Sequence, residues 1–132
     1  MDENQTMTNQ VMFDRYINRL MEKGVRYDEG KPRMDLIPGD ALIEIAKVLS
    51  YGAAKYSDRN WEKGMDYHKL YAPIQRHLWK WWQGEELDEE SGLHHLAHAA
   101  CDILMLQATA LRSIGTDDRP NTRPSGGTPI QS

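Results

Sequence analysis

The stretch "ESGLHHLAHAACDILML", residues 90–106, is an apolar run that carries three histidines and an aspartate. Wound as a helix at about 100° per residue, it places His94, His95, His98 and Asp102 on one face. Leu93, Leu96, Ala97, Ala100, Ile103 and Leu104 cover most of the remainder. A polar stripe in such a helix must be hydrogen-bonded, hold a metal or touch a ligand. Upstream, "QRHLWKWWQG" carries Arg76 and His77, and the acidic segment "EELDEESG" joins the two helical patterns. So short a connection makes the helices antiparallel neighbours, and counting outward from it sets His77 at about the level of His98. Imidazoles and the carboxylates of Glu85, Glu86, Asp88, Glu89 and Glu90 then converge near the connection. Borderline divalent metals prefer that mixture, and a carboxylate there can act as a base toward water. Metal ligands could come from His77, His95, His98, Asp102 and these carboxylates, while His94 at the stripe's edge reads as merely exposed. One buried histidine is more often a satisfied core residue. Four polar groups on one narrow stripe, facing another histidine and an acidic cluster, weigh against that reading for the set.

A second constellation lies one helix earlier. Lys47, Tyr51 and Lys55 recur at every fourth position and share a face, and "KYSDRNWEKG" adds Arg59, Asn60, Trp61 and Glu62. Cations beside an aromatic suit a nucleotide: Lys and Arg for phosphates, Trp for stacking on a base, Asn for its edge. The plainer alternative is a solvated helix face with a tryptophan filling the core. In "DEGKPR", Lys31 and Arg33 offer two further cations for phosphates. Trp79 and Trp82 lie on one side of their helix, a placement typical of cores and subunit interfaces. There is no glycine-rich phosphate loop, no G-x-S-x-G and no Cys-His nucleophile pattern.

The elements that must position these residues are helices. "NQVMFDRYINRLMEKG" reads as a short amphipathic helix stopped by Gly24, with residues 1–8 polar and frayed. An extended arm follows, in which Gly30, Pro32, Pro38 and Gly39 forbid continuous helix. From Asp40, Leu42, Ile45, Ala46, Leu49 and Ala53 form an apolar stripe. A second helix is predicted from Tyr67 to Gln83, and a third from about Glu90 or Ser91 to Ser113. No strand pattern is present, so the expected fold is all-α, a compact bundle of three to four helices. Its expected parts are a short N-terminal helix (1–24), a helical domain (25–115) and a disordered tail (116–132), the last almost free of apolar residues. At 132 residues and net charge −4, the chain reads as one such domain with no basic surface for nucleic acid. Cys101 is the single cysteine, which excludes a disulfide framework. No apolar run reaches the roughly 18 residues of a membrane span, and the N-terminus is no signal peptide, so the expected location is cytoplasmic.

"DEGKPRMDLIP", "VLSYGAAKYSDRNWEKG" and "RHLWKWWQGEELDEESGLHHLAHAAC" together resemble the phage dATP/dGTP diphosphohydrolases, MazZ-type enzymes related to the MazG-like all-α nucleotide pyrophosphatases. The resemblance runs from about Tyr27 to Leu106. It implies a MazG-like bundle that hydrolyses dATP or dGTP to monophosphate and pyrophosphate with Mg2+ or Mn2+, Co2+ being a further choice. It also implies a place in remodelling the nucleotide pool of phages with 2-aminoadenine genomes, in the host cytoplasm. Lys31, Lys55, Asn60, Trp61, Arg76, His77, Glu85, Asp88, Glu90, His95 and His98 fall on positions of the family pattern. On this reading Glu85, Asp88 and His98 are catalytic, His77, Glu85, Asp88, His95, His98 and Asp102 hold the metal, and Lys31, Arg33, Lys55, Arg59, Asn60, Trp61 and Arg76 bind substrate. MazG-like enzymes carry Glu-x-x-Glu on one helix and Glu-x-x-Asp on the next. Here Glu86-x-x-Glu89 is followed closely by His95-x-x-His98, so either the histidine pair replaces the second motif or other ligands, such as Glu44 and Glu62, complete the set. The tryptophan-rich helix points to a homodimer or homotetramer. The alternative to an enzyme is a non-catalytic helical module that binds nucleotide or oligomerises, its histidines structural.

Overall fold

A computed structural model describes residues 3–121, which divide into two compact units, Met1–Met34 and Asp35–Ser132. The division falls within the extended arm, between Met34 and Asp35. In the first unit, helix α1 spans Glu3–Met21 and so begins within the residues expected to fray. Side chains one turn apart support its start: Gln5 donates to Asn9 (3.1 Å) and Thr8 Oγ1 to the Asn4 carbonyl (2.9 Å). Glu3 in the first turn and Arg19 in the last also suit the helix dipole. None of its residues is buried.

The second unit contains α2 (Gly39–Lys55), α3 (Tyr67–Trp82) and α4 (His95–Arg112), with a 3-10 turn at Asn60–Lys63. Among the described residues there is no strand, only two isolated bridges, and the all-α expectation is met. One bridge joins Asp66, before α3, to Thr116, after α4; the other joins Leu87 to His94 across the connection. Each end of α3 is thus tied to the opposite end of α4, and the two run antiparallel. α4 is central. Ala97, Ala99 and Cys101 are small and buried, which lets α2 approach through Val48 and Ile45 and α3 lie alongside with Leu70 and Ile74 buried.

This core is thin. The expected α2 stripe included Leu42 and Leu49, but both are exposed, and Val48 is the buried residue. α2 packs on α4 along one narrow line, so only the residues on that line leave water. Ile43, Ile103, Trp79 and Trp82 also stand outside, Trp82 at 74% exposure.

The chain remains held beyond Gly115, where the tail was expected to begin. Thr116 donates to Met65 O (3.2 Å) and accepts from Tyr67 N–H (2.9 Å). Asp118 accepts from His68 N–H (3.0 Å) and also meets the His68 ring. The rest of that tail, 122–132, lies outside the described residues. Gly115 makes this closure possible: its φ is +75°, and a Cβ there would sit 2.4 Å from Met65 O. Gly115→Ala is therefore expected to cost about 2 kcal/mol or more, combining left-handed strain with a backbone clash. Thermal or denaturant unfolding of the variant measures this, and an unchanged midpoint would contradict the close approach.

Candidate functional site

α4 starts at His95 because residues 86–94 are occupied by a small hairpin. Asp88 N–H donates to Leu93 O (2.8 Å) and His95 N–H to Glu86 O (3.0 Å). Asp88 Oδ2 accepts Ser91 N–H (2.9 Å), an Asx-type turn that Gly92 continues at φ +72°. His94 becomes the exposed N-cap residue in extended conformation, so the helical stripe keeps only His95, His98 and Asp102.

His95 is fully buried. Its Nε2 lies 2.8 Å from Glu85 Oε2, and its Nδ1 lies 2.8 Å from His77 Nδ1. A carboxylate accepts only, so Nε2 carries the proton and the Nδ1 lone pair faces His77. His98 stacks flat on His77, with centroids 4.5 Å apart and planes at 9°. His98 Nε2 lies 2.6 Å from Ser91 Oγ and 3.9 Å from Asp88 Oδ2. The edge of Tyr51 completes the surround of His98 at 6.3 Å. One donor atom each from His77, Asp88 and His95 falls within 4.8 Å of the other two.

The electrostatics keep these groups in metal-ready forms. Burial, and then the neighbouring His98 and His95, push the His77 imidazolium down to about 4, so the ring is neutral. Burial likewise lowers His98, against the pull of Asp88. Burial works upward on Asp88, but the Ser91 hydrogen bonds together with His98 and His77 hold its carboxyl below the ordinary value. Asp102 is pushed up to about 6 by burial, which Arg76 partly counters.

Two nitrogens bound at right angles to one ion at about 2.1 Å stand about 3 Å apart, close to the observed separation of His77 and His95. The neutral His77 ring, the His95 imidazole and the Asp88 carboxylate form a donor set for a borderline divalent ion. Glu85 behind His95 is the outer partner such a ligand ordinarily has. The residues present therefore fit a metal ion.

A cavity of about 1290 Å³ opens from this cluster between α2, α3, α4 and the 3-10 turn. His77, Asp88 and His98 line one end, Asp102 and Arg76 the flank, and Trp61 the far end, where Arg112 lies 5.3 Å over its ring. Asn60 and Arg59 also line it; Arg59 sits at φ +57° and pairs with Glu62 (3.0 Å). Lys55 reaches the wall but is held by Glu90 (2.7 Å), whose same oxygen accepts Tyr51 O–H (2.7 Å). These contacts lower Glu90 and raise Lys55 and Tyr51, the shared hydrogen bonds being the main cause.

Several expected placements change. Glu85 stands on the far side of the His95 ring from His77, so it orients that ring rather than joining the shared donor point. Asp102 is one turn along α4 from His98 and outside the donor group. Glu44 pairs with Lys47 and Glu62 with Arg59 and Arg112, which occupies both alternative carboxylates. Lys31 and Arg33 belong to the first unit, Lys31 in a turn closed by its N–H on Asp28 O (3.0 Å). Sequence reasoning passed over Ser91, which holds both Asp88 and His98; its spacing three residues after an aspartate is an Asx-turn signal. It also passed over the Tyr51–Glu90 contact, which couples residues distant in sequence and leaves no local trace.

Comparison with known proteins follows the same direction. The chain matches the family described as dATP/dGTP diphosphohydrolase, N-terminal, over residues 21–119. It is 33% identical over 96 residues to a dATP/dGTP diphosphohydrolase of Salmonella phage PMBT28, covering 73% of this chain. The chain spans about a third (33%) of that relative's length. No solved structure matches it. On its sequence, this chain belongs to the dATP/dGTP diphosphohydrolase N-terminal family.

Proposed function

We propose that this chain hydrolyses purine deoxynucleoside triphosphates, dGTP or dATP, to the monophosphate and pyrophosphate. The observation that carries this reading is the convergence of His77, Asp88 and His95 beside a large cavity that His77 and Asp88 line. These three residues would hold a divalent ion, with Glu85 fixing the His95 ring. Such an ion, when bound, supplies positive charge to the triphosphate oxygens and makes water more acidic. Two imidazole donors favour Mn2+ or Co2+ over Mg2+ at this point.

The chain's own residues do the rest. Water attacks the α-phosphorus, the bond to the α,β-bridging oxygen breaks, and pyrophosphate leaves. His98 takes the water's proton at Nε2, where Ser91 now sits. Lys55 exchanges Glu90 for a phosphate oxygen, and Arg76 adds a second cation from the cavity flank. Arg59, also on the cavity wall, is a further phosphate contact. Trp61 stacks on the purine, and Asn60 reads its edge. The setting is the cytoplasm of the infected host, where removing dATP and supplying dGMP serves a 2-aminoadenine genome. No helix among the described residues is long and apolar enough to cross a membrane.

The test is a product assay with each of the four deoxynucleoside triphosphates and Mn2+, Co2+ or Mg2+. Purine substrates should yield monophosphate and pyrophosphate, and chelation should abolish turnover reversibly while helical circular dichroism persists. His77→Gln and Asp88→Asn should each lower kcat/KM by roughly 100-fold or more, as expected when a ligand is lost. No turnover with any metal would hand the chain to the non-catalytic reading.

The exposed Trp79, Trp82, Ile103 and Ile43 support association into a homodimer or homotetramer. Sedimentation should show that species, and Trp79→Glu with Trp82→Glu should reduce it to monomer. A monomeric wild type would remove this part of the reading.

A further inference from the structure

Asp102 is a half-buried carboxylate on the cavity wall, with the charge of Arg76 near it and no hydrogen-bond donor among the described residues. Its carboxylate neighbours differ: Asp88 has Ser91, Glu85 has His95 and Glu90 has both Tyr51 and Lys55. An acceptor that lines a cavity without a donor of its own is open to a donor from a ligand.

Helix α4 acts as a ruler for what that ligand group is. His98 and Asp102 both face the cavity, and at about 1.5 Å per residue Asp102 lies about 6 Å beyond His98. Met105 and Ala108, also on the wall, come at about 10 and 15 Å on the same scale. A deoxynucleotide with its α-phosphate at the histidine end places its 3′ oxygen roughly 5 Å from phosphorus, at ordinary bond lengths. The base then falls at the level of Met105 and Trp61. The sugar is thus opposite Asp102, and the 3′-hydroxyl is the single hydroxyl donor on a deoxyribose.

We infer that Asp102 accepts a hydrogen bond from the 3′-hydroxyl of the bound deoxynucleotide, so the site selects free mononucleotides. This rests on the hydrolase reading for the placement of the phosphates. A nucleotide inside a nucleic-acid chain has that oxygen esterified: it has no proton to offer, and its phosphate is repelled by the carboxylate. Asp102 therefore separates the free triphosphate from polymer as well as from 3′-deoxy analogues.

Calorimetric titration with dGMP and with 2′,3′-dideoxyguanosine monophosphate, each with Mn2+, tests this without relying on turnover. Wild type should prefer dGMP by roughly 10- to 100-fold, the range of a hydrogen bond to a charged acceptor. Asp102→Ala should bind both alike, and Asp102→Asn, which keeps the shape and a neutral acceptor, should retain a preference of only a few-fold. Equal binding by wild type, binding of neither nucleotide, or an undiminished preference in a folded Asp102→Ala or Asp102→Asn protein would overturn the assignment. Turnover of dGTP without a 3′-hydroxyl preference sinks this inference alone. A preference without turnover sinks the hydrolase reading and leaves Asp102 in its role.

Discussion

The burial of His95 is the constraint on which the second unit depends. An imidazole with no exposure must have both ring nitrogens met, or the fold bears the cost of an unsatisfied polar group. Glu85 answers Nε2 from the connection and His77 answers Nδ1 from α3. The end of α3, the acidic hairpin and the first turn of α4 are therefore placed relative to one another by one side chain. His98 adds a second register mark by stacking on His77.

This polar centre explains why the apolar core is small. Ala97, Ala99 and Cys101 line α4 where larger residues would push the flanking helices away from the histidines. Close helix approach is gained and apolar volume is lost, so Val48, Leu70 and Ile74 carry most of the hydrophobic contribution. Tyr51 and Lys55 join α2 to the same region through Glu90, an ion pair too exposed to add much stability. Its consequence is positional: a cation is held beside the cluster by a carboxylate.

Much of this was legible in the sequence. Helical periodicity located α2, α3 and α4 within a few residues, and the short acidic connection implied the antiparallel pair. Counting from that connection set His77 level with His98, and the two rings do stack. The start of α4 was not legible, because His94 continues the polar stripe and only the Asp88–Ser91 turn shows that it lies outside the helix. Val48 rather than Leu49 faces inward because the apolar pattern of α2 admits neighbouring stripes, and a thin core buries only one line. Glu85 was marked as a ligand because spacing reveals that a carboxylate is near a histidine, not which nitrogen it meets.

The proposed metal centre is tested most directly by pulsed electron paramagnetic resonance on added Mn2+, reading the nitrogens coupled to the ion. Two coupled histidine nitrogens are expected in the wild type, one in His77→Gln, and an unchanged pair in Ser91→Ala. Mn2+ bound with no coupled nitrogen would place the ion on carboxylates alone and contradict the assignment of His77 and His95.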